Sequence, residues 1–187
     1  MQEFGKWPQS GEIDLVESRG NNPDCQGGSS SFASTLHFGP DWKHDAWTKA
    51  HKEYTHPDSL GDDFHIYELE WTKDGIITRI DDEEVLNYPF TTNQFDQGGF
   101  PKDAFNPWQY EDDNSAPFNK EFFLILNVAV GGVNGYFPDG WCGKPYSDQD
   151  AKAANNFYDK KDSWYPSWNY PSTNDSAMKI DWVKVYQ

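Results

Sequence analysis

Residues 64–71 alternate with a period of two, which is the period of a strand and not of a helix. His65, Tyr67 and Leu69 fall on one face; Phe64, Ile66, Glu68 and Glu70 fall on the other. Thr72-Lys73-Asp74-Gly75 then reads as a hairpin turn, residues 76–80 as the return strand, Asp81-Asp82-Glu83-Glu84 as a second turn and residues 85–88 as a third strand. Residues 11–17 and 31–38 read as two earlier strands, the second closed by Gly39-Pro40. Residues 122–130 are almost continuously apolar, as in a strand buried on both faces. Residues 178–186 alternate again and read as the last strand. One short helix is expected over residues 147–159, capped by Ser147 with Asp150 in its first turn. The fold class is therefore all-β: a two-sheet sandwich, with long loops at 91–117 and 131–148 walling a cleft.

The stretch Gly11-Glu12-Ile13-Asp14-Leu15-Val16-Glu17 carries the chemistry. Alternation puts Glu12 and Asp14 on one face. Glu17 is five residues from Glu12, so a regular strand would aim it at the opposite face. A β-bulge at Leu15-Val16 would return it to the same face and leave Ile13 and one of Leu15 or Val16 for the core. Three carboxylates would then share a cleft. Their mutual repulsion costs folding energy and pushes at least one pKa up. Retaining glycosidases use that arrangement, with one carboxylate to attack and one carboxylic acid to protonate the leaving oxygen.

Composition narrows the partner. Apolar residues make up 36% of the chain and aromatics 17%, so almost half of the apolar set is Phe, Trp and Tyr. A core of large rings meets part of that excess. A groove lined with flat rings meets the rest, because an aromatic plane matches the apolar C–H face of a sugar. Trp7 and Trp141 are the candidates for such stacking. The formal charge of -16 disfavours nucleic acid, anionic membrane surfaces and sulfated polysaccharides, and does not repel a neutral polymer. No apolar run is long enough for a membrane-spanning helix, and residues 1–20 lack the pattern of a signal peptide. Cys25 and Cys142 form one disulfide or stay as two thiols. Asp81-Asp82-Glu83-Glu84 reads as a solvated charged turn and not a metal site. His44, His51 and His56 read as surface residues of a polar loop, and Asn174-Asp175-Ser176 is a glycosylation sequon.

Trp7-Pro8-Gln9-Ser10-Gly11-Glu12-Ile13-Asp14-Leu15-Val16-Glu17-Ser18-Arg19-Gly20-Asn21 resembles glycoside hydrolase family 16, in its laminarinase-like (endo-β-1,3-glucanase) branch. Other segments resemble the family in the same order: Thr35-Leu36-His37-Phe38-Gly39-Pro40, Phe64-His65-Ile66-Tyr67 with Leu69-Glu70-Trp71-Thr72, Pro117-Phe118 with residues 122–132, Trp164-Tyr165-Pro166-Ser167-Trp168 and residues 180–186. The resemblance implies a concanavalin A-like jelly roll and one catalytic domain over residues 1–187. It implies Glu12 as nucleophile, Asp14 as its assistant and Glu17 as acid/base. His37 would face the cleft. Arg19, close to the acids in sequence, is itself a candidate to pair with them and orient them. The resemblance also implies a neutral β-glucan as partner, secretion, a monomer, and neither metal nor cofactor. Family domains carry several strands before the catalytic motif, and eleven residues precede Glu12 here. The resemblance therefore implies a C-terminal portion of the domain, with activity belonging to the intact sandwich. Three alternatives stand beside hydrolysis of β-1,3-glucan: a non-catalytic β-glucan recognition protein, a same-fold galactan hydrolase, and a transglycosylase.

Overall fold

Strand pairing follows the alternation. The structure is a computed structural model that describes residues 3–187. Strands β1 (Glu12–Ser18), β2 (Ser31–His37) and β3 (His51–Thr55) form one antiparallel sheet in that order. Strands β4 (Tyr67–Thr72), β5 (Gly75–Ile80) and β6 (Glu83–Pro89) form a second. The fold is a β-sandwich of the jelly-roll class with open sheets, and all six strands among the described residues lie in the first of two units, which ends at Phe123. Asp81 and Asp82 make the β5–β6 turn with φ of 47° and 71°. Positive φ at both central residues is what a tight two-residue hairpin needs, and Asp tolerates it.

The inner face of the first sheet carries Phe32, Ser34 and Leu36. The inner face of the second carries Ile76, Thr78, Ile80, Leu86 and Tyr88. Leu36, Phe38, Ile76, Leu86, Tyr88, Phe90, Trp108 and Phe118 share one cluster, so much of the aromatic excess goes to the core. Phe38 is fully buried, with the rings of Tyr88, Phe100, Trp108 and Phe118 at 5.9–6.3 Å. Beyond β6, helix α1 (Gln94–Gly98) is capped by Asn93, whose side chain accepts from the Asp96 N–H, and closed by Gly99 in the left-handed region.

One polar chain crosses this core. Thr78 Oγ1 donates to Ser34 Oγ at 2.9 Å, and Ser34 Oγ donates to the Leu15 carbonyl at 2.7 Å. Leu15 lies where the β1–β2 register slips between Asp14 and Glu17. A bulge leaves backbone groups without ladder partners, and a buried one costs free energy unless something else bonds it. Ser34 supplies that bond. Ser34→Ala is therefore expected to cost about 1–3 kcal/mol, because it strands the Leu15 carbonyl and the Thr78 hydroxyl. The check is the denaturation midpoint; an unchanged midpoint would show that the bulge holds without Ser34.

The second unit, from Leu124 to Gln187, carries helices α2 (Ala153–Asp159) and α3 (Lys161–Trp164), followed by a 3-10 turn at Tyr165–Trp168. Phe157 and Trp164 stack with centroids 4.5 Å apart, and Trp164 Nε1 donates to the Phe157 carbonyl. Lys144 is held by Asp139 and Asp148. No described helix is long and apolar enough to cross a membrane, and neither cysteine is a free thiol.

Several expectations are corrected. Residues 122–130 are not a doubly buried strand. Phe122 packs on Trp71 and Phe118, but Phe123 to Leu126, Val128 and Val130 are exposed and the segment is irregular. Residues 178–186 are likewise exposed and irregular. A strand exists only through its ladder, and neither segment has a strand partner among the described residues. The helix expected from Ser147 starts instead at Ala153, and Ser147 donates to Asp139 rather than capping it. The strand expected from residue 64 begins at Tyr67, and Glu83 and Glu84 belong to β6 rather than to a turn. His51 opens a strand, β3, that was expected to be loop.

Candidate active site

The register of β1 against β2 brings the three acids together. Glu12 lies opposite His37, Asp14 opposite Thr35 and Glu17 opposite Ala33. Residues 33, 35 and 37 alternate on one face of β2, so Glu12, Asp14 and Glu17 share it as well. The slip between Asp14 and Glu17 is the expected bulge. It leaves Leu15 half-buried and Val16 exposed, so Leu15 is the residue given to the core side. The acid face is the outer face of this sheet. It continues across β2 to β3, where Thr35 Oγ1 and His51 Nδ1 lie 2.9 Å apart.

The loop before β1 is tied down. Trp108 Nε1 donates to the Gln9 carbonyl at 2.7 Å, and Gln9 Nε2 donates to the Pro40 carbonyl at 2.6 Å. Gly11 joins this loop to β1 at a φ of 76°, and a Cβ there would meet the Phe122, Pro117 and Phe118 side chains at 3.1–3.2 Å. Glycine is thus favoured both by the backbone and by the packing. The anchored loop presents Trp7, whose Nε1 donates to Glu12 Oε2 at 2.6 Å and whose ring lies 5.5 Å from that of His37. Trp7 remains half-exposed beside the acids.

His37 joins two carboxylates. Its Nε2 lies 3.2 Å from Asp14 Oδ2 and its Nδ1 2.6 Å from Asp45 Oδ2. Burial pulls the imidazolium pKa down, but the bonds to Asp14 and Asp45 overcome it and push the value up to about 10. At Glu17 burial acts first, raising the pKa above the usual glutamate value. Repulsion from Asp14 and Glu12 adds to the rise, while His37 and Arg19 oppose it. Those environments pull the acids apart in role: Glu17 is biased toward its protonated form, and Glu12 accepts an indole N–H. Glu12, Asp14 and His37 also present potential ligand atoms within 4.8 Å of one another. Both His37 nitrogens already face carboxylates, so a cation there would have to displace a held proton.

Of the residues expected from sequence, Glu12, Asp14, Glu17, His37 and Trp7 converge, and Arg19 acts electrostatically on Glu17. Trp141 belongs to the second unit, in the turn where its N–H donates to the Pro138 carbonyl. Sequence reasoning missed Asp45, which sits in a polar loop with no spacing signal. It also missed Ser34, although a lone hydroxyl between Phe32 and Leu36 on an inward face is a readable sign of a buried polar bond.

A sheet face that gathers three acids on a bulged strand, beside an anchored indole, is the kind of site carbohydrate-active enzymes build. The comparisons supply the family. The family model for glycosyl hydrolases family 16 matches residues 1–108. This chain belongs to that family. It is 41% identical over 188 residues to a beta-1,3-glucan-binding protein of Penaeus monodon, covering 98% of this chain and 51% of that protein. It is 36% identical over 169 residues to a glucan endo-1,3-beta-glucosidase of Cryptopygus antarcticus, covering 87% of this chain and 53% of that one. The chain thus spans about half the length of these relatives. A glycoside hydrolase family 16 endo-glucanase from Bacteroides ovatus superposes with a TM-score of 0.38 and 23% identity over 48% of this chain and 38% of its own.

Proposed function

We propose that this protein is a secreted, retaining endo-glycosidase that hydrolyses a neutral β-1,3-glucan of the laminarin type. Residues 1–187 would form part of its catalytic domain. The observation that carries this reading is the bulge, which turns Glu17 onto the face of Glu12 and Asp14 and half-buries it, so that it binds its proton more tightly than an ordinary glutamate does. Glu17 donates that proton to the glycosidic oxygen while the Glu12 carboxylate attacks the anomeric carbon. The C–O bond breaks, the shortened glucan leaves as an alcohol, and a glycosyl ester forms on Glu12. Glu17, now a carboxylate, takes a proton from water. The water oxygen attacks the same carbon and Glu12 departs, so two displacements retain the configuration. Asp14, bonded to His37, sits between the two glutamates and holds the pair in register. Trp7, Arg19 and Trp141 are proposed as substrate-binding residues, with Trp7 stacking on a sugar ring beside Glu12. The charge of -16 fits an uncharged polymer, and the protein is proposed to act as a monomer without metal or cofactor.

A second reading is supported by the 41% identical relative, whose name says that it binds β-1,3-glucan. On that reading the acid face recognises the polymer without cutting it. Reducing-sugar release from laminarin, lichenan and agarose separates the readings. Release from laminarin is expected. Binding to laminarin with no release from any of the three favours recognition alone, and release from agarose only favours a galactan hydrolase. Products longer than the starting oligosaccharides would mark transglycosylation.

A further inference from the structure

The loop between β2 and β3 folds back on the end of β2. The Ala46 N–H donates to the Phe38 carbonyl at 2.9 Å, and the Leu36 N–H donates to the Ala50 carbonyl at 2.8 Å. Gly39 packs so closely on this loop that a Cβ would fall 1.9 Å from the His44 carbonyl oxygen, which leaves room for glycine only. This closure buries the Asp45 side chain to 8% exposure. Its Oδ1 accepts the backbone N–H groups of Phe38 and Trp47 at 3.3 and 3.2 Å, and its Oδ2 takes the Nδ1–H of His37. Asp45 is thus fixed by the backbone on one side and by the imidazole on the other.

We propose that Asp45 is a positioning residue of the active site, which locks His37 as a doubly bonded imidazolium and through it fixes Asp14 between Glu12 and Glu17. A neutral imidazole carries one N–H and one lone pair. With carboxylates at both nitrogens, the neutral ring would turn its lone pair on one of them, whereas the imidazolium donates to both. The charged groups facing His37 are Glu12, Asp14 and Glu17 from β1 and Asp45 from the loop, with Arg19 reached through Glu17. Trp7 covers the ring without adding charge, and on β3 His51 bonds Thr35 instead. The chain of contacts runs from buried backbone, through Asp45 and His37, to Asp14. Its bearing on catalysis rests on the hydrolase reading; its bearing on His37 does not.

The test follows the His37 ring by NMR while pH is raised, in the parent and in Asp45→Asn, whose amide oxygen still accepts the two backbone N–H groups. His37 is expected to titrate near 10 in the parent and lower by about 1–3 pH units in the variant. The alkaline limb of kcat/KM falls first as Glu17 loses its proton and steepens where His37 loses its own, and that steepening is expected to move down with the NMR titration. An unmoved His37 titration overturns the proposal, and so does a titration that moves while the steepening stays where the parent has it. A parent that does not cleave glucan sinks the hydrolase reading, and the NMR titration alone then decides the role of Asp45. Should Asp45→Asn fail to fold, the parent decides: a His37 that titrates near the ordinary imidazole value of 6.5 overturns the proposal.

Discussion

Glu17→Gln is expected to lower kcat on laminarin by about a hundred- to ten-thousand-fold, the usual worth of a positioned general acid. A glutamine keeps the size but has no acidic proton to give to the glycosidic oxygen. The loss should shrink on an aryl glycoside, whose leaving group departs without protonation, and a slow second step should remain because no base activates the water. Glu12→Gln should show the opposite pattern, a loss at least as large on both substrates, since the attacking group itself is gone. The contrast between the substrates makes the roles separable. Unchanged turnover in either variant, or equal losses on both substrates for Glu17→Gln, would contradict the assignment.

Phe38→Ala is expected to cost about 3–5 kcal/mol, the usual range for deleting a buried Phe. Phe38 is fully buried and meets four aromatic rings, three from beyond the sheets, so little can move in to fill the space. Whole domains hold together by about 5–15 kcal/mol, so the variant should melt far below the parent or fail to fold. It should also disturb catalysis at a distance. Phe38 follows His37 directly, its N–H bonds Asp45 and its carbonyl bonds Ala46. A loss below about 1 kcal/mol would mean that the ring cluster repacks around the gap.

The segments that sequence revealed best are those in which one local signal suffices. The β4–β5 hairpin shows through alternation and a Thr-Lys-Asp-Gly turn. Strand β1 shows because five residues separate Glu12 from Glu17, and only a bulge reconciles that spacing with a shared face. Strand β3 was hidden because His51-Lys52-Glu53-Tyr54-Thr55 is mostly polar, and its pairing with β2 outweighs its composition. The opposite error occurred at residues 122–130 and 178–186, where apolar composition suggested strands. Composition supplies the desire for burial, but a ladder needs a partner, and none is present among the described residues. Asp45 was invisible for another reason. It acts through a loop closure around Gly39, which no periodicity reports.

On the proposed mechanism, two carboxylates on one strand face cut a glucan through a covalent intermediate. The most direct measurement is proton NMR of laminarin oligosaccharides in the first moments of incubation with the protein, before the new reducing ends equilibrate. Products that appear first as the β-anomer are expected, because two successive displacements at one carbon restore its configuration. Products that appear first as the α-anomer, or oligosaccharides that bind and stay intact, would contradict the claim.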